Sequence, residues 1–266
     1  MKTRTISAIV VLAIAIPIFL TGGYVYTAAI YVLSLLALRE FIKIKETKKD
    51  LPEFMEFISY IILTLVVLSN VDNKDLVFSI DFRVISALFI SYLLPTIVYH
   101  DSKVYSVNDA FYLISGIFFL GVSFNLLILL RNVRLALIAY LFLISVITDT
   151  YAYLVGMLVG RHKLIESISP KKTWEGSVGG TLMSIIIAGT FYHVVVNPNL
   201  NIAIVILMTA FLSIIGQFGD LVFSAIKRYF GKKDFSNIMP GHGGVLDRLD
   251  SIIFVVMGYI VIISIL

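Results

Sequence analysis

The feature that most constrains this chain is the recurrence of apolar runs about as long as a bilayer is thick. A helix needs about 20 mostly apolar residues to cross the hydrocarbon core. Such runs recur from one end of the sequence to the other, at roughly 5–21, 24–42, 54–70, 82–99, 110–130, 134–159, 178–196, 202–226 and 250–266. Hydrophobic residues make up 59% of the chain and charged residues 14%, which leaves no stretch for a separate soluble domain. The expected fold is therefore all-α: a polytopic integral membrane protein of about nine transmembrane helices, forming a single membrane domain over residues 1–266. Thr21-Gly22-Gly23 reads as a tight turn between the first two runs. The opening "MKTRT" before an apolar run imitates a signal peptide. No small-residue cleavage site follows and more spans do, so the first helix is expected to be retained. There is no cysteine, which excludes disulfides and thiolate metal sites.

Orientation follows from where Lys and Arg fall between the runs. With the N-terminus in the cytoplasm, 17 of the 21 basic residues lie on the cytoplasmic side, and only Lys74, Arg83, Arg131 and Arg134 lie opposite. That bias predicts a cytoplasmic N-terminus and an outward C-terminus. It also puts the two loops richest in polar residues, 160–177 and 227–250, on the cytoplasmic side.

Carboxylates inside a span cost several kcal/mol unless paired, hydrated or metal-bound. Asp149 in "VITDTYAYLVGMLVG" sits deep in the sixth run, where it either hydrogen-bonds between helices or serves a site. Asp220 in "IIGQFGDLVFSAIKR" lies near the cytoplasmic end of the eighth. On a helix, Asp220, Ser224 and Lys227 share one face, with Gln217 and Arg228 close to it. Asp247 and Asp250 of "DRLD" share a face just before the ninth run. Asp220, Asp247 and Asp250 can thus converge at one rim, and carboxylates with water and phosphate oxygens are the usual surroundings of Mg²⁺.

The segment "SAIKRYFGKKDFSNIMPGHGGVLDRLD", Ser224–Asp250, holds five basic residues, three aspartates, a histidine and four glycines in 27 positions. Pro240 and Gly241 suit a turn, and Gly243 and Gly244 permit close backbone approach. Successive N–H groups in such turns can nest an anion, with Lys227, Arg228, Lys233, His242 and Arg248 around them. "SPKKTWEGSVGG" repeats the theme: Ser169, Lys171, Lys172, Thr173, Trp174 and Glu175 combine charge, hydrogen-bonding groups and an interfacial ring. A basic cytoplasmic loop is also what orientation alone demands. His100, His162 and His193 have no metal-pair spacing and receive no role. The stretch "REFIKIKETKKD" (39–50) reads as a solvated face or a contact with anionic lipid. No P-loop and no GxGxxG between strand and helix is present, and no nucleic-acid partner is expected.

These residues resemble the signature of the CDP-diacylglycerol synthases, the phosphatidate cytidylyltransferase family. The matching positions are Ser224, Lys227-Arg228, Lys233-Asp234, Pro240, His242-Gly243-Gly244, Asp247-Arg248 and Asp250, with "SPKKTWEGSVGG", "TDTYAY" and "GQFGDL" upstream. Met239, where the family has Leu, Ile or Phe, is a mild departure. The likeness covers roughly residues 145–250. It implies that residues 1–130 supply N-terminal helices and 131–266 the catalytic ones. It also implies the reaction CTP plus phosphatidic acid to CDP-diacylglycerol and pyrophosphate, in phospholipid biosynthesis. Further implications are Mg²⁺ held by Asp220, Asp247 and Asp250, a monovalent cation such as K⁺, a homodimer, and a bacterial-type inner membrane with the site facing the cytoplasm. Two rivals stand beside it. A CTP-dependent polyprenol or lipid kinase would move the γ-phosphoryl group to an alcohol. A transporter would place its ionisable residues near the midplane, whereas here only Asp149 is clearly deep.

Overall fold

The computed structural model describes residues 13–69, 71, 81–238 and 243–265. Residues 13–21 are helical. The helices that follow are α1 Gly23–Glu46, α2 Glu53–Val67, α3 Phe82–Leu93, α4 Pro95–Val98, α5 Val107–Val133 and α6 Leu135–Val159. A hairpin of β1 Lys163–Ile165 and β2 Ser169–Thr173 precedes α7 Trp174–Ser184, α8 Ile202–Tyr229 and α9 Leu246–Ile263. Among the described residues, α1, α5, α6, α8 and the stretch Trp174–Val196 are long and apolar enough to cross a bilayer. The chain is thus a helical integral membrane protein.

Several expectations need adjusting. The fold is all-α as expected, and within it the basic loop 160–177 contains a short antiparallel hairpin. The fourth run, 82–99, is broken at Leu94-Pro95, where a ring without an N–H starts a new short helix. The expected span 54–70 forms a helix of 15 residues. "DRLD" lies inside α9 and not ahead of it. The first expected span lies partly outside the described residues. The turn at Gly22-Gly23 is present, with φ of +66° and +56°. A Cβ on Gly22 would fall 2.5 Å from the Arg131 guanidinium. That guanidinium donates to the carbonyls of Phe19 (2.8 Å) and Leu20 (2.9 Å), which as last-turn groups have no helical partner.

The chain divides into two compact units. The first comprises the described residues up to Val133 together with Asp234–Asp247. Here α1 and α2 pack on α5. Phe41 stacks on Tyr112 at 4.4 Å, and Gly116 leaves the space that the Phe41 ring fills. Asn125 donates from its amide to the carbonyls of Val66 (3.2 Å) and Val67 (2.8 Å), satisfying the end of α2. Buried Asp109 accepts from Lys45, Lys49, and the Ser106 hydroxyl and N–H. The 39–50 stretch is therefore not one solvated face: Lys45 and Lys49 are paired inward, and Glu40 is only 2% exposed.

The second unit holds Arg134–Lys233 and Arg248–Leu266. In it α6 and α7 lie unusually close. A Cβ on Gly176 would sit 2.5 Å from the Ala152 carbonyl oxygen, and one on Gly180 2.5 Å from that of Thr148. Thr148, Ala152 and Gly156 recur every fourth residue on α6 and face Gly176 and Gly180, the small-residue pattern by which membrane helices approach. Two π-helical stretches, Ile185–Gly189 and Tyr192–Val196, prolong α7. Interhelical hydrogen bonds join Tyr140 to Thr209 (2.8 Å), Thr148 to Ser213 (2.8 Å) and Ser213 to Thr181 (3.1 Å). In a lipid-embedded bundle such bonds supplement packing, because lipid offers no hydrophobic gain between helices.

Candidate active site

In the second unit the hairpin delivers one lysine to an acidic cluster. Successive residues of a strand point to opposite faces. In β2 this separates Lys171, which is exposed, from Lys172, which is half-buried. Lys172 Nζ lies 2.6 Å from Asp220 Oδ2 and 3.5 Å from the Gln217 carbonyl oxygen. Gln217 is fixed in turn by its amide, which donates to Thr181 Oγ1 at 3.0 Å.

The hairpin is clamped to α7 by its own polar residues. Thr173 is the N-cap of α7, its Oγ1 accepting from the Gly176 N–H at 3.1 Å. Glu175 accepts from the His162 backbone N–H (3.2 Å) and lies 2.6 Å from His162 Nδ1. The Trp174 N–H donates to the His162 carbonyl at 3.0 Å. Thr173 and Glu175, expected to touch substrate, are thus engaged in holding the hairpin. His162, given no role from sequence, is their partner. Ser169 opens β2 opposite Ile165, and the Trp174 ring is exposed.

Asp220 stands on α8 with Ser224, whose hydroxyl lies 3.3 Å from Asp220 Oδ1, and with buried Lys227 one turn further on. The helical face read from sequence is present. Gly219 beside Asp220 lets α8 meet α9, for a Cβ there would lie 2.7 Å from the Asp250 carbonyl oxygen. This approach brings Asp250 within electrostatic reach of Asp220, Asp149 and Lys227. Asp149 feels Asp220 and Lys172, and the Ser251 hydroxyl donates to its Oδ2 at 3.3 Å. Asp149 itself is exposed. Lys172 and Lys227 stand among these three aspartates. Among the described residues no three carboxylate or imidazole groups already form a metal cage. Mg²⁺ rarely has one; it is held by one or two carboxylates with water and substrate phosphates. The hard oxygen donors here suit that ion.

In the first unit the signature's glycine turn holds anions, and they are the protein's own. Asp247 Oδ2 accepts from the N–H groups of Phe235 and Gly244, each at 2.9 Å. Glu40 accepts from the N–H groups of Val245 (2.8 Å) and Leu246 (2.9 Å). Gly243 has φ +87°, the left-handed region that favours glycine. The N–H groups expected to nest a substrate phosphate near Gly243 and Gly244 are thus engaged by carboxylates. His242 lies outside the described residues, with Met239, Pro240 and Gly241. Arg228 donates to the Lys232 carbonyl at 2.9 Å and closes the end of α8, while Lys233 and Arg248 are exposed. A separate groove of about 480 Å³ runs along Val155, Val159, Trp174, Val178 and Leu182, with Glu175 at its edge.

The sequence of the whole chain agrees with this chemistry. A model of the cytidylyltransferase family matches residues 2–266. Proteins named phosphatidate cytidylyltransferase are similar throughout: 39% identical in Staphylococcus haemolyticus, 38% in Staphylococcus epidermidis and 37% in Staphylococcus aureus. Each alignment covers 96% of this chain and 96% of the relative. The chain belongs to the cytidylyltransferase family. It is a nucleotidyltransferase built into a membrane.

Proposed function

We propose that the chain is a phosphatidate cytidylyltransferase, joining CTP and phosphatidic acid to give CDP-diacylglycerol and pyrophosphate. One observation carries this reading: Lys172 Nζ meets Asp220 Oδ2 of the membrane helix α8 at 2.6 Å, with Asp149, Asp250 and Lys227 within electrostatic reach. The relatives' name supplies the substrates.

The lipid phosphate is an anion at neutral pH and needs no strong base. Its oxygen forms a bond to the α-phosphorus of CTP while the bond from that phosphorus to the bridging oxygen breaks. Pyrophosphate carries the electron pair away. The barrier lies in bringing anions together and in the charge that collects on the leaving group, so catalysis rests on positioning and charge neutralisation. Asp220 and Asp250 would hold Mg²⁺, which would neutralise phosphate oxygens when bound. Asp247 and a monovalent cation such as K⁺ belong to the same reading through the family resemblance. Lys172 is aimed by β2 at Asp220 and is available to the departing pyrophosphate. Lys227, Arg228, Lys233, His242 and Arg248 contribute charge for the other phosphates, and Ser224 steadies Asp220. The apolar runs favour about nine spans, and the Lys and Arg bias favours a cytoplasmic N-terminus and a site facing the cytoplasm of a bacterial inner membrane, where soluble CTP meets a lipid. A homodimer rests on the resemblance.

The test is the fate of label with purified protein, phosphatidic acid and Mg²⁺. CTP labelled at the α-phosphate should transfer label to lipid, and CTP labelled at the γ-phosphate should release it as pyrophosphate. Label moving from the γ-phosphate to lipid would instead establish the kinase reading.

A further inference from the structure

We infer that Glu40, on α1, is a positioning residue that sets the conformation of the signature turn 243–246 and, through it, of Asp247. The inference rests on the cytidylyltransferase reading above. Glu40 comes from the stretch that sequence assigned to a solvated face or a contact with anionic lipid, yet it is 2% exposed. Its Oε1 accepts from the Ser236 hydroxyl at 2.6 Å and the Val245 N–H at 2.8 Å, and its Oε2 accepts from the Leu246 N–H at 2.9 Å. Leu246 begins α9, so these N–H groups point outward from a helix start with no helical partner. A carboxylate there gains from the hydrogen bonds and from the positive end of the helix.

The turn is built around that carboxylate. A Cβ on Gly244 would lie 2.4 Å from Glu40 Oε1 and 2.6 Å from Oε2. Glycine is needed here to leave room for Glu40 as well as to bend the chain. Asp247 depends on the same geometry, because its Oδ2 takes the Gly244 N–H at 2.9 Å. Shift Gly244 and the Asp247 carboxylate moves with it. Among the described residues Glu40 meets the Ser236 hydroxyl and the N–H groups of Val245 and Leu246, so it acts by holding backbone that holds a signature aspartate.

Three full-length variants test this: Glu40→Gln, Gly244→Ala and the pair combined. Glutamine keeps the size but offers only one oxygen and turns an amide NH₂ toward backbone donors. Alanine at Gly244 pushes the carboxylate away from its partners. The first readout is hydrogen exchange of the peptide containing Val245 and Leu246, which should be protected in the wild type and exchange at least tenfold faster in each single variant. The second is kinetics per folded molecule: kcat should fall about tenfold or more, as misplacement of a catalytic group does, with the KM for CTP within about threefold. The third is coupling. Both substitutions break one interaction, so the double variant should be about as slow as the slower single one. Unchanged exchange in Glu40→Gln, or fully additive losses, overturns the proposal. If the wild type makes no CDP-diacylglycerol, the assigned reaction fails instead, and exchange still decides whether Glu40 holds the turn.

Discussion

Two groups of acidic residues in this chain are surrounded in opposite ways. In the first unit Asp109 and Glu40 are each 2% exposed and fully answered: Asp109 by two lysines and Ser106, Glu40 by Ser236 and two backbone N–H groups. In the second unit Asp149, Asp220 and Asp250 stand within electrostatic reach of one another, Lys172 pairs with Asp220 at 2.6 Å, and Lys227 lies within reach of Asp250. A buried carboxylate with every partner in place serves the fold, because removing it strands the groups it satisfied. Carboxylates left facing like charges weaken the fold, and such strain is found where a ligand is to supply the missing positive charge. On the proposed reading, the contrast divides residues that serve the fold from residues that serve chemistry.

The sharpest way to break the comparison is Asp149→Asn. It removes a charge from the crowded cluster without changing size. Turnover should fall about a thousandfold, on the scale of one lost electrostatic contact in a preorganised site. Thermal stability should hold or rise, because repulsion is relieved. A clear drop in melting temperature with activity retained would move Asp149 to the architectural group.

The two adjacent lysines give the next largest contrast. Lys172→Ala should cost about 100-fold in kcat/KM, mostly in kcat, as expected for a group that stabilises developing charge. Lys171→Ala, on the other face of β2, should stay within about threefold. Equal effects of the two in a CTP titration would reduce the hairpin to a topology signal.

The smallest effect is expected where α6 meets α7. Gly176→Ala must shift backbone, since its Cβ would lie 2.5 Å from the Ala152 carbonyl oxygen. A cost of about 1–3 kcal/mol in stability follows, with kcat per folded molecule within a few-fold. Unaltered melting in detergent would show that the close approach is not needed.

Much of this was legible in sequence, for particular reasons. Membrane helices announce themselves by length and composition, so runs such as 110–130 and 202–226 fall within α5 Val107–Val133 and α8 Ile202–Tyr229. The face carrying Asp220, Ser224 and Lys227 follows from helical spacing alone. The hairpin did not show through, because a β2 of five residues carries little periodic signal and charge dominated its reading. Glu40 stayed hidden because its partners lie about 200 positions away and nothing local separates it from Lys43 or Lys45. The spacing of Thr148, Ala152, Gly156 and Gly160 was a usable sign of a close helix contact, recognisable as small residues every fourth position.

The central claim is that Asp220 serves chemistry while Asp109 serves the fold, and one paired measurement tests it. Asp220→Asn and Asp109→Asn are purified in the same detergent, and each sample is assayed for pyrophosphate release and for thermal unfolding. The account predicts that Asp220→Asn loses turnover by at least about a hundredfold with its melting temperature near wild type. Asp109→Asn should lose about 3 kcal/mol of stability, as when one partner of a buried ion pair is removed, while its folded fraction turns over within about threefold of wild type. If Asp220→Asn keeps a third of its activity at saturating Mg²⁺, or if the two variants show the same pattern, the division is contradicted.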